Sequence, residues 1–173
     1  TRSVRLPFGR IATFNDIVAG FTVERMVDGK PSVFIGTIES PDVKALHKIA
    51  AELRDYAQAA ICDLPRLDIQ YRFSHMPWLF RQFMLWLGLR YARVRHQLMP
   101  ATFGVSSLGK YGVSEVTGPC VSTCTFGVGA LERRPVVAEG RIEVHAMMGL
   151  SLSCNLNVID GGEAARFLAK VKG

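Results

Sequence analysis

The stretch SLSCNLNVIDGGEAARFL, residues 151–168, has the outline of a chemical site: a strand, a tight turn at Asp160-Gly161-Gly162, then an Ala-rich helix. Such a turn usually aims one side chain, and the residue so placed here is Leu156. Leucine has no lone pair and accepts no proton. Asp160 is suited to hold its turn, by accepting hydrogen bonds or by pairing with an arginine. The Ser106-Ser107 pair at a strand end is suited to capping backbone groups near a turn. His145 is the nearest imidazole before Leu156, but a lone histidine is more often a hydrogen-bonded surface residue than a base. His47, His75 and His96 have no partner at ligand spacing, and the four cysteines (Cys62, Cys120, Cys124, Cys154) form neither a Cys-x-x-Cys pair nor a Cys/His cluster. Metal binding is not expected. The thiols read as reduced and buried, as in a cytoplasmic protein.

The elements that must position these residues follow from periodicity. Phe21 to Val27 and Ser32 to Ile38 are β-branched and aromatic runs joined across Asp28-Gly29, a hairpin signal. Ser40-Pro41-Asp42 offers an N-cap, a first-turn proline and an acid, after which Val43, Leu46, Ile49, Leu53 and Tyr56 repeat at helical spacing. A helix is expected from about Asp42 to Ala60. The last third is β-rich: ATFGVSSLGKYG reads as strand and Gly-marked turn, CVSTCTFGVGAL as a strand, Glu139-Gly140 as a tight turn. In RIEVHAMMGLSLSC the apolar residues from Ile142 to Cys154 take every second position, the pattern of a half-buried strand with His145 on its polar face. A helix of about Gly162 to Val171 is expected to pack Ala164, Ala165, Phe167 and Leu168 on the sheet.

At 173 residues, about half of them apolar, the chain is long enough for one packed domain, 1–173, and has no repeat, linker or low-complexity segment. A net charge of +6 is a mild preference for anionic partners. The basic residues are dispersed except around Arg90, Arg93, Arg95 and His96, and no nucleic-acid-binding motif accompanies them. No nucleic-acid partner is expected. The sequence opens at Thr1, and its first residues lack the charged start and apolar stretch of a signal peptide.

The segment from Met76 to Leu89 is apolar around nearly its whole circumference, with Trp78, Leu79, Phe80, Phe83 and Trp86 in it. Something must cover such a helix. Arg81 and Gln82 interrupt it, and the run after them is shorter than the ~20 residues a membrane span needs. Two readings stay open: a helix buried in the domain or a subunit interface, or one lying on a membrane surface or shielding a greasy substrate.

TFGVSSLGKYG, followed by GVGALERRPVVAEGRIEVHAMMGLSLSCNLNVIDGGEAARFL, resembles the catalytic domain of the acyltransferase (E2) subunits of 2-oxoacid dehydrogenase complexes, which share the chloramphenicol acetyltransferase fold. The resemblance covers roughly Thr102 to Leu168 well and Val33 to Ala57 more loosely. It implies an α/β fold, a mixed sheet flanked by helices, assembled as a homotrimer with active sites between subunits. It also implies acyl transfer between coenzyme A and a second thiol. The family's leading helices, lipoyl domain and peripheral-subunit-binding domain have no counterpart in this sequence. The family motif His-x-x-x-Asp-Gly places its general-base histidine at Leu156, and its oxyanion serine falls on Ser106. Asp160-Gly161 match the end of the motif, while Asn155 and Asn157 stand where Asp and Arg are usual.

Three functional expectations follow. The chain is a catalytically silent or weakened acyltransferase-family member that acts as scaffold or as partner of an active acyltransferase or 2-oxoacid dehydrogenase. Alternatively it is an active acyltransferase for a hydrophobic acyl group that uses another base. The third alternative, resting on Met76 to Leu89 alone, is a peripheral membrane or lipid-handling protein.

Overall fold

The computed structural model describes residues 2–5, 11–118, 120, 122–156 and 158–172, in two compact units, Thr1–Phe103 and Gly104–Gly173. In the first unit β1 (Arg2–Arg5) pairs antiparallel with β2 (Ile11–Phe14). Strands β3 (Val18–Val27) and β4 (Lys30–Glu39) form the expected hairpin, paired from Val18 with Glu39 to Val27 with Lys30. Its turn residues Asp28 and Gly29 have φ of +50° and +74°. A two-residue turn matched to strand twist needs positive φ at both positions, which is why this dipeptide marks it.

The helix expected from Asp42 starts later. Helix α1 is Leu46–Gln58, and the residue before it, Ala45, makes no side-chain cap. Ser40 is used elsewhere: its N–H donates to the Ile17 carbonyl at 2.9 Å, closing the end of the hairpin, and its φ of +48° is far from the extended backbone of an N-cap. The other end of α1 is held from β3. The Arg25 guanidinium donates to the carbonyls of Tyr56 (2.8 Å) and Ala59 (2.6 Å), groups the helix terminus leaves without internal partners.

Helix α2 (Pro65–His75) was not legible as a separate element; it starts on a proline and buries Leu67 completely. Its Gln70 accepts from the N–H of Ile35 at 2.9 Å and donates to the same residue's carbonyl at 2.8 Å. One side-chain amide thus takes the two hydrogen bonds that a further strand beside β4 would make. Helices α3 (Trp78–Arg90) and α4 (Ala92–Leu98) complete the unit. Its core is Val18, Phe34, Ile38 and Leu67. The Thr102 hydroxyl donates to the Asp16 carbonyl and accepts from the Val18 N–H, so this buried polar group is satisfied.

In the second unit β5 (Phe103–Ser107), β6 (Cys124–Ala138) and β7 (Arg141–Cys154) lie side by side in that order. The β6–β7 hairpin turns at Glu139-Gly140, φ +50° and +77°, as the sequence suggested. Helix α5 (Gly161–Lys172) packs on β7 with Ala164 and Leu168 half-buried, while Phe167 approaches the Phe126 ring at 6.0 Å. Ala165, expected on the sheet, is exposed. The α/β class expected from the sequence is observed, with sheet strands and flanking helices in each unit.

One expectation about β7 fails. Its alternation is intact, but the apolar row is exposed at its outer end, Ile142 at 78 % and Val144 and Met148 also exposed. Leu131 and Val137 on β6 are exposed as well. Period-two patterning records that a face is buried somewhere, and among the described residues of this chain nothing covers it.

Candidate functional site

The turn after β7 is built from backbone bonds. The Asn155 N–H donates to the Thr123 carbonyl at 3.1 Å, and the Asn155 carbonyl accepts from Val158 (2.9 Å) and Ile159 (3.1 Å). The chain then reaches Asp160, whose carboxylate accepts from the Gly162 N–H at 3.3 Å and whose carbonyl accepts from Ala164 at 3.0 Å. Asp160 is therefore the N-cap of α5, a role in which its charge also opposes the positive end of the helix dipole. Glu163 adds a second carboxylate in the first turn.

Leu156 sits on this turn with its side chain 75 % exposed. It packs into no core, so packing does not require a leucine here. Asn157 lies outside the described residues. Ser106 is on β5, half-buried and engaged with a partner, while the neighbouring Ser107 hydroxyl accepts from Gly109 at 3.4 Å, the turn-capping role its position suggested.

Three glycines shape the floor of the second unit. A Cβ added at Gly127 would overlap the Val116 carbonyl, and one at Gly129 or Gly149 would overlap that of Ser114. Residues 113–116 thus lie flat on β6 and β7, tied down where Ala130 donates to the Val113 carbonyl at 2.7 Å and where the Ser151 hydroxyl donates to that of Val116. The Gly-x-Gly pattern of β6 is legible in sequence; the loop that lies across it is not.

Sequence spacing also missed a thiol cluster. Cys124 and Cys154 are cross-strand partners, and Cys120 is close enough to act on both electrostatically. Burial, with the neighbouring thiols second, pushes the Cys124 thiol up to about 11, and burial also raises Cys154. Cys62 corrects the expectation of uniformly buried thiols: it lies exposed in the one-turn segment Ile61–Asp63. Because the thiolate is the nucleophile, Cys62 should be alkylated first in native protein. Cys124 should react slowest, its rate rising with pH until about 11. Mass-spectrometric peptide mapping after timed iodoacetamide treatment reads the order.

His145 faces solvent and contacts Glu143 at 2.9 Å on its own strand, and His96 contacts Asp16 at 3.1 Å and stacks on Phe14. His75 ends α2 and His47 lies on α1. Among the described residues no three His, Cys, Asp or Glu side chains group as metal ligands. The first unit holds a cavity of about 700 Å³ lined chiefly by apolar groups, among them Val33, Phe34, Ile69, Phe73, Met84 and Leu85, with Lys30 and His75 also on its wall.

Residues 92–173 match the family model of the 2-oxoacid dehydrogenases acyltransferase (catalytic domain), the part of the chain that carries α4, the β5–β7 sheet and the Asp160 turn. This segment is similar to that family's catalytic domain. The chain is 40 % identical over 82 residues to the lipoamide acyltransferase component of the branched-chain alpha-keto acid dehydrogenase complex of Pseudomonas putida, covering 46 % of this chain and 19 % of that protein. The chain thus spans about a fifth of the length of the curated relatives it matches.

The fold is shared over nearly the whole chain. The solved Azotobacter vinelandii dihydrolipoamide acetyltransferase, investigated for the role of a serine, a histidine and an asparagine in its catalytic mechanism, superposes with a TM-score of 0.64. It is 24 % identical, over 98 % of this chain and 58 % of that one. The cubic core of the pyruvate dehydrogenase multienzyme complex superposes with a TM-score of 0.63 at 23 % identity, over 98 % of this chain and 58 % of that one. This is the fold that the sequence resemblance implied.

Proposed function

We propose that this chain is an E2-type acyltransferase domain that has lost the general base of thiol acylation and serves as a trimeric scaffold or binding protein with a pocket for coenzyme A or its pantetheine arm. The observation that carries this reading is Leu156, an exposed aliphatic side chain four residues before the helix-capping Asp160, where the family motif has its histidine. Without a base the attacking thiol keeps its proton, a deficit of typically ~10²- to 10⁴-fold in rate. Ser106 is retained as the hydroxyl that would donate to the oxyanion, with Asn157 in place of the usual arginine.

The uncovered apolar row of β6 and β7 supports assembly, because a surface of Leu131, Val137, Ile142, Val144 and Met148 is what a subunit contact buries. The natural partner is an active acyltransferase or a 2-oxoacid dehydrogenase assembly. Four free thiols fit a cytoplasmic location. Mass in solution, coenzyme A calorimetry and a thioester-turnover assay test the reading. A trimer that binds coenzyme A without turnover is the expected result; a monomer, or absence of binding, overturns it.

The cavity of about 700 Å³ favours a second reading, an active acyltransferase for a hydrophobic acyl group that uses another base. Turnover in the wild type would select it, and turnover that survives Ser106→Ala would remove the oxyanion role from Ser106.

A further inference from the structure

Helix α3 presents a face that the fold leaves uncovered. At about 100° per residue, Trp78, Leu79, Gln82, Phe83, Trp86 and Arg90 fall within about 140° of its circumference, and all six are exposed, Trp78 at 61 % and Trp86 at 58 %. The opposite side carries Arg81, Met84 and Leu87, half-buried, and Gly88, which is buried, with Phe80 exposed among them. The helix therefore packs through its small and flexible residues and shows its aromatic ones. Phe83 and Trp86 stack on each other within that face, their centroids 6.2 Å apart.

Charge selects the occupant. From Ile69 to Ser114 the chain has no Asp or Glu, while Arg72, Arg81, Arg90, Arg93 and Arg95 lie in the stretch. A protein surface that docked on α3 would be repelled wherever it too was basic and would find no carboxylate to pair with its own lysines. An interfacial membrane helix needs what is present: tryptophan and phenylalanine for the headgroup–acyl boundary, with arginines and no acids beside them. No helix among the described residues is long and apolar enough to cross a membrane, so this contact lies in the interface plane.

We infer that α3 docks this protein on an anionic lipid bilayer, with Trp78, Leu79, Phe83 and Trp86 in the interfacial layer and Arg90 among the headgroups. The inference does not depend on whether acyl transfer persists.

The chain offers its own probe, since Trp78 and Trp86 are its only tryptophans. Full-length protein is mixed with vesicles of phosphatidylcholine alone or with phosphatidylglycerol added. The expected result is co-sedimentation with a blue shift of tryptophan emission, stronger on the anionic vesicles. Trp86→Asp should weaken binding at least about ten-fold through the lost apolar contact. Arg90→Gln should weaken it about five-fold, and only on anionic vesicles, in line with one interfacial charge. Solution mass and circular dichroism of both variants are measured alongside. No co-sedimentation by the wild type overturns the inference. So does a Trp86→Asp variant that disperses an oligomer yet binds vesicles as before, because the face would then be a contact between copies of the chain.

Discussion

Leu156→His combined with Asn157→Arg raises acyl transfer between coenzyme A and a dihydrolipoamide acceptor by about 10²- to 10⁴-fold over the wild type, the range a positioned general base contributes. The substitution is structurally inexpensive. Leu156 is exposed, so removing it opens no cavity, and exposed replacements of this kind usually change stability by about 0.5 kcal/mol or less. The turn that aims the side chain does not depend on it, being held by the Asn155 carbonyl and the Asp160 cap. Neutral imidazole supplies the lone pair that leucine lacks. A Leu156→Gln control, of similar size but unable to accept a proton at neutral pH, should stay at the wild-type rate. Thioester formation under saturating coenzyme A, with trimer mass confirmed for each variant, decides the matter. A folded, trimeric double variant with no increase would mean that the cleft has decayed along with its base, and the chain would then be a scaffold only.

What could be read from sequence here is what is local. Both tight hairpins announced themselves through Asp28-Gly29 and Glu139-Gly140, because positive φ at two consecutive positions restricts the residue types allowed. The spacing of Leu156 and Asp160, four residues apart on a single turn, was equally legible. The start of α1 was misread for a non-local reason: Ser40 has an N-cap's chemistry, but a bond to Ile17 claims its backbone. The thiol cluster and the strand-like Gln70 contact depend on partners distant in sequence, so no spacing rule shows them. The exposed ends of β6 and β7, and the aromatic face of α3, show a further limit. Their patterning reads as burial, yet among the described residues nothing covers them.

Gly129→Ala destabilises the second unit by about 3 kcal/mol or more, at the upper end of what overpacking costs, because the atom in the way is backbone rather than a side chain that can swing aside. The new methyl would overlap the Ser114 carbonyl oxygen. Lifting residues 113–116 to make room breaks the Ala130 to Val113 bond and strains the Ser151 to Val116 contact, and both carbonyls would have to find new partners. Gly127→Ala and Gly149→Ala meet the same segment, so a pair of them should cost less than the sum, since a loop already displaced is not displaced twice. Gly118→Ala, with nothing within 4 Å and no positive φ, is the control and should be neutral within about 0.5 kcal/mol. Urea unfolding of the four single variants and of the Gly129→Ala/Gly149→Ala double variant measures the difference. Additive losses at Gly129 and Gly149 would show that each glycine serves a separate neighbour, contrary to a single loop held flat on the sheet by all three.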